Sequence, residues 1–252
     1  MTQFRPSRFE ILPPVIKNLL IINGLVFFAQ ITIKNTAFGS LEDIFALHTF
    51  QSELFKPWQF ITHMFMHGDF GHLFFNMFAL WMFGSILENV WGQRRFLIFY
   101  FVCGLGAALA HMIALYFDKQ TIIQQYNAIQ TQMDVEYFLR KYWYGEPLPP
   151  VLDAAKAVVR AQLNEATLGA SGAVFGCLAA FGYLFPNTYL YLYFFVPVKA
   201  KWFVIGYIAI ELYSTLKNSA GDNVAHLAHL GGALFGFLLV WSWNKTNRRK
   251  FY

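Results

Sequence analysis

Charge is scarce in this 252-residue chain: Asp, Glu, Lys and Arg make up 13% of it, hydrophobic residues 57%, and mean hydropathy is +0.41. Soluble domains carry about 25% charged residues, so an ordinary soluble domain is excluded and a membrane protein is implied. Cysteine is scarcer still. Cys103 and Cys177 both lie in apolar segments with no CxxC pair, which excludes a disulfide framework and gives no reason to expect a metal. They read as small packing residues. Internal repeats and low-complexity tracts are lacking too, and no A-x-A cleavage site follows the first apolar run, about 19 to 33, so that run reads as a retained helix rather than a signal peptide.

What is present fits a bilayer. Seven Trp, 13 Tyr and 29 Phe suit helices that meet lipid tails and headgroups. Spanning the hydrocarbon core takes about 20 apolar residues, and six segments qualify, at roughly 15–34, 71–89, 95–117, 171–186, 201–216 and 226–243, the fourth being the shortest. The net charge of +5 sits in short clusters beside these segments, not along one polar face, so no nucleic acid partner is expected. Placing the N-terminus in the cytoplasm puts Arg5, Arg8, Arg94, Arg95, Lys199, Lys201, Lys245, Arg248, Arg249 and Lys250 inside, and Lys34, Lys56 and Lys217 outside. That is the positive-inside pattern with both termini cytoplasmic.

Two outer segments are more than turns. Residues 35–70 are too apolar for a linker and too interrupted for a span, as expected of a loop partly sunk in the interface. Residues 118–168 mix charges of both signs, include Glu146-Pro147-Leu148-Pro149-Pro150, and could form amphipathic helices over about 120–143 and 151–165. They read as a water-exposed insertion.

Polar groups inside hydrocarbon are functional candidates. They gather in the second span and its approach (His63, His67, His72, Asn76, Glu88), at Ser171 opening the fourth, and at His226 and His229 in the sixth. A lone serine at a helix start is usually a cap. Here Gly172 and Gly176 form a GxxxG face behind Ser171, and Gly232 and Gly236 form another behind His229. If these faces pack together, Ser171 and His229 reach similar depth within hydrogen-bond range, the arrangement of a nucleophile and its base. The N-terminus of the fourth helix offers backbone N–H groups to an oxyanion, and His72 and Asn76, four apart on one helical face, can add side-chain donors. His48 and His111 read as ordinary hydrogen-bonded histidines. His226 either lines the cavity mouth or satisfies a local hydrogen bond.

These residues resemble the rhomboid intramembrane proteases: HxxxxHxxxN at His67, His72 and Asn76, GxSG at Gly169 to Gly172, and AHxxGxxxG at Ala228 to Gly236. The likeness covers about residues 15–243 apart from the insertion. It implies an all-α, six-transmembrane-helix rhomboid-like bundle forming a single membrane domain, with Ser171 and His229 as a dyad lacking a third carboxylate. It further implies an oxyanion hole of His72, Asn76 and the Ser171 N–H, and a structural Glu88. No cofactor is implied. The partners would be transmembrane protein substrates and membrane lipid, the reaction cleavage of their spans near the outer face, and the location the bacterial inner membrane.

The chain departs from the family pattern twice. Phe175 stands where relatives often have Tyr stacked on the catalytic His; ring stacking survives the change, the hydroxyl does not. Trp58-Gln59 stands where a Trp-Arg pair is frequent, and Gln59 can still hydrogen-bond locally. The stretch Phe194 to Lys201 resembles the family's inner turn before the fifth span. Two other functions fit less well. A non-catalytic, rhomboid-like binder of membrane helices would typically lack the nucleophile or base that this chain keeps, and a transporter or channel would not explain the glycine faces or the GxSG.

Overall fold

Proline opens the first helix, α1 (Pro14–Thr32), where its fixed φ suits the first helical position. The backbone N–H groups of Val15 and Ile16, left without intrahelical acceptors, donate to the two carboxylate oxygens of Glu88, each at 2.9 Å. The computed structural model describes residues 9–33, 39–140, 151–192, 195–217 and 225–246. Arg5, Arg8, Lys34, Arg248, Arg249, Lys250, the Glu146 to Pro150 run and Phe194 lie outside the described residues.

Helix α2 (Phe70–Trp91) is capped by Asp69, whose Oδ1 accepts the His72 N–H at 2.8 Å, and it ends at Gly92 with φ +79°. Its middle, Leu80–Gly84, is a π-helical turn. Helix α3 (Gln93–Leu139) continues for 47 residues without a break. The stretch expected to be helical over 120–143 is helical as far as Leu139 and runs on from the third helix without a break. Charge appears after Phe117, but no Gly or Pro falls between Gly106 and Gly145 to stop the helix. Helix α4 (Val151–Leu163) packs back on α3, and Lys119 pairs with Glu165 at 3.1 Å.

Helix α5 (Ser171–Leu184) is the axis of the fold: every residue from Gly172 to Gly182 is buried. At about 1.5 Å per residue it is roughly 21 Å long, shorter than a hydrocarbon core of about 30 Å. A two-stranded hairpin (Tyr189–Leu192 with Val196–Lys199) leads to α6 (Ala200–Lys217), and α7 (His226–Thr246) packs against α5, α3 and α6.

Burial is inverted relative to a soluble domain. Asn23, His63, His67, Asn76, Glu88 and Glu211 are buried, while Phe28, Phe74, Phe75, Trp202, Ile210 and Leu216 are exposed. Among the described residues four helices are long and apolar enough to cross a membrane, by length and composition: Pro14–Thr32, Phe70–Trp91, Gln93–Tyr137 and His226–Lys245. Ser171–Leu184 is a shorter apolar helix, and α6 carries Lys201, Glu211 and Lys217. The protein is an all-α membrane protein.

Candidate active site

Ser171 is the first residue of α5, and the loop that delivers it is tied down on both sides. Thr167 and Leu47 exchange two backbone hydrogen bonds at 2.8 Å, and the Gly169 N–H donates to the His63 carbonyl at 2.9 Å. His111 of α3 adds a 2.9 Å contact from Nε2 to the Thr167 hydroxyl. Gly169 has φ +129°, a conformation that favours glycine, and a Cβ there would lie 2.8 Å from the His72 ring and 3.6 Å from Ser171 Oγ. His72 and Ser171 thus flank one small volume.

His229 comes from the first turn of α7, and its Nε2 lies 2.9 Å from Ser171 Oγ. The glycine faces explain the approach. A Cβ at Gly232 would fall on the Gly172 carbonyl oxygen, and one at Gly236 would sit 2.7 Å from the Gly176 Cα. Phe175 lies flat on the imidazole, ring centroids 4.2 Å apart and planes at 6°, and so holds its orientation.

On the other side of the serine are α2's polar residues. The Gly68 N–H points at His72 Nδ1 from 3.5 Å, which favours placing the ring proton on Nε2, beside Gly169. Asn76, one turn later, is buried, and its amide nitrogen has no hydrogen-bond partner among the described residues. An unspent buried donor costs about 1–3 kcal/mol and leaves the amide available to an incoming oxygen. The first-turn N–H groups of α5 also lack intrahelical acceptors and lie at the positive end of the helix dipole.

A cavity of about 20 Å³ behind Ser171 is lined by His63, His111, Thr167 and Gly169, enough for about one water. Burial pushes the imidazoles of His63 and His67, both on the approach to α2, down to about 4, so both are neutral near pH 7. His63 Nδ1 lies 2.8 Å from the Gln59 carbonyl.

The remaining residues singled out by sequence fall elsewhere. Glu88 is remote from the site and holds the start of α1. Gln59 is buried and forms a hub of the first loop: its amide donates to Leu54, Asp43 and Ile44 carbonyls and its oxygen accepts from the Lys56 and His48 N–H groups. Hydrogen bonds from a neutral side chain therefore anchor the loop. His48 bridges the Asn164 and Glu42 carbonyls. His226 Nδ1 lies 2.6 Å from Glu211 Oε2, the hydrogen-bonded one of its two expected roles.

Glu211 itself was not among the sequence candidates. It is buried on α6, and its Oε2 lies 3.1 Å from His229 Nδ1, where the family likeness implies no carboxylate. The signal was available: an acidic residue inside an otherwise apolar span.

The Rhomboid domain family model matches residues 54–124 and 148–245. Over 191 residues the chain is 27% identical to "Rhomboid protein 1, mitochondrial" of Saccharomyces cerevisiae, covering 74% of this chain and 42% of the yeast protein. It is 25% identical over 234 residues to "Rhomboid protease AarA" of Providencia stuartii (88% and 69% covered). It is 24% identical over 181 residues to "Rhomboid protease GluP" of Bacillus subtilis (71% and 25% covered). The chain thus spans less than half the length of the yeast relative.

Proposed function

The chain belongs to the rhomboid family, and from that premise we propose that it is an intramembrane serine endopeptidase cleaving transmembrane segments of other membrane proteins near the outer face. The observation that carries this reading is the 2.9 Å contact between Ser171 Oγ and His229 Nε2 at the buried start of a short helix. Ser171 Oγ attacks the scissile carbonyl while its proton passes to His229 Nε2. His72, Asn76 and the Ser171 N–H stabilise the tetrahedral oxyanion. His229 then returns the proton to the leaving amine. A water attacks the acyl-enzyme, giving its proton to His229, which reprotonates Ser171 as the acid leaves.

In this reading α1, α2, α3, α5, α6 and α7 are the six spans of one membrane domain. Both termini are cytoplasmic, and residues 118–168 and the water path to Ser171 lie on the outer side. The cited relatives come from bacteria and from a mitochondrion, so the family fixes a membrane and leaves the compartment to experiment.

The test is cleavage of a single-span substrate by the reconstituted chain. Wild type cleaves, and Ser171→Ala loses on the order of 10⁴-fold or more. Equal cleavage by both would overturn the reading, and absence of cleavage together with tight binding of membrane helices would replace it with the non-catalytic one.

A further inference from the structure

An acidic side chain in hydrocarbon is costly unless it finds partners, so an intramembrane carboxylate marks function by default. Glu211 is such a residue. It is 6% exposed on α6, flanked by Ile210 and Leu212, and turned inward while both neighbours face out. Its Oε2 receives two imidazoles of α7, His226 Nδ1 at 2.6 Å and His229 Nδ1 at 3.1 Å. These are direct hydrogen-bond lengths, shorter than the roughly 3.3 Å that tetrahedral coordination at about 2.0–2.1 Å would set between two ligands of one ion. His226 Nδ1 makes a hydrogen bond to the carboxylate, whereas His229 Nδ1 stands at ion-pair distance from the same oxygen without hydrogen-bond alignment, so the carboxylate acts on it as a charge at close range.

The consequence lies at the other nitrogen. To accept the Ser171 proton, His229 must have an unprotonated Nε2, so its own proton must sit on Nδ1. An ionised carboxylate accepts and cannot donate, and so it selects that tautomer. It also supplies the negative charge that the imidazolium needs once Ser171 has given up its proton. Two further titratable groups that interact with His229 across helices, His72 of α2 and His111 of α3, are imidazoles and cannot supply that charge. Among the described residues Glu211 is the acidic side chain within ion-pair reach of His229.

We propose that Glu211 is a positioning residue of the active site, completing a Ser171–His229–Glu211 relay in which it fixes the tautomer of His229 and stabilises its charged form. His226, bonded to the same oxygen, ties α6 to α7 and stands outside the relay. This rests on the protease reading above and adds a third member to the pair that reading uses. A purely structural Glu211, tying α6 to α7 through His226, would show in stability alone.

The experiment uses the full chain in liposomes, with Ser171→Ala as the zero. In Glu211→Gln we expect kcat to fall about 100-fold or more, with KM within threefold and the acid limb of kcat/KM displaced to lower pH. His226→Asn should leave that limb in place. Independently of turnover, ¹⁵N spectra of histidine-labelled protein should show His229 as the Nδ1–H tautomer in wild type and a tautomer mixture in Glu211→Leu. Wild-type kcat and acid limb in Glu211→Gln would overturn the proposal, as would an unchanged tautomer in Glu211→Leu, or an activity loss that follows thermal stability and is matched by His226→Asn. If wild type cleaves no better than Ser171→Ala, the protease reading falls, and the tautomer measurement still decides the role of Glu211.

Discussion

Two buried glutamates sit in different parts of the bundle and are held by different partners. Glu88 stands roughly 24 Å along α2 from His72, at 1.5 Å per residue, and accepts two backbone N–H groups from the start of α1. Glu211 accepts from His226 and lies 3.1 Å from the Nδ1 of His229, the imidazole beside Ser171. A backbone N–H keeps its proton at every pH, so Glu88's bonds join two helices and do nothing else. An imidazole gains and loses its second proton, so a carboxylate on it bears on chemistry. The lesson is that a buried acid's partner, more than its burial, tells what it is for.

The most forceful way to break this contrast is Glu88→Ala. It removes a charged acceptor from two N–H groups at a helix N-terminus, and we expect a stability loss of about 3–5 kcal/mol with turnover per folded molecule unchanged, read by thermal unfolding in detergent beside active-site titration. Loss of turnover at unchanged stability would erase the distinction. Gly232→Ala comes next and sharpens it from the active-site side. The added methyl meets the Gly172 carbonyl, so α5 and α7 must part. We expect about 1–3 kcal/mol of destabilisation, and a fall in kcat of roughly 100-fold from displacing the Ser171–His229 pair by about 1 Å.

The smallest effect is a pH dependence of the loop beside the site. Burial holds His63 down to about 4, below its ordinary 6.5, so between those values the unfolded chain binds a proton that the folded chain refuses. The stability present above pH 6.5 is therefore lost as pH falls toward 4, by about 1 kcal/mol at pH 5.5 for this residue. Unfolding temperatures at pH 7.5 and 5.5 check it, and His63→Gln should narrow the difference between them.

How far the sequence revealed this depends on how local each feature is. His72 and Asn76, or His229 and Gly232, share a face because helical spacing places them there, and the matching glycine faces of α5 and α7 announced their own packing. Glu211 was hidden for the opposite reason. Its meeting with His229 depends on how α6 lies beside α7, and no spacing within either helix encodes that. The continuity of α3 through residue 118 was not legible because charge marks where water begins, whereas a helix ends only where the backbone is interrupted. Gln59 shows a third case: its chemistry allowed hydrogen bonding, but its five loop partners follow from the fold of residues 43–59.

The π-helical turn at Leu80–Gly84 makes α2 serve both of its ends. In an unbroken α-helix, Asn76 and Glu88 would point about 120° apart, and one of them would be aimed at lipid. One extra residue in the turn resets the phase by about 100° and brings the two directions to within roughly 20°. Both side chains are buried. The count of residues between positions 76 and 88 is therefore as constrained as their identity, and a single deletion there would rotate one polar end of the helix out of the protein.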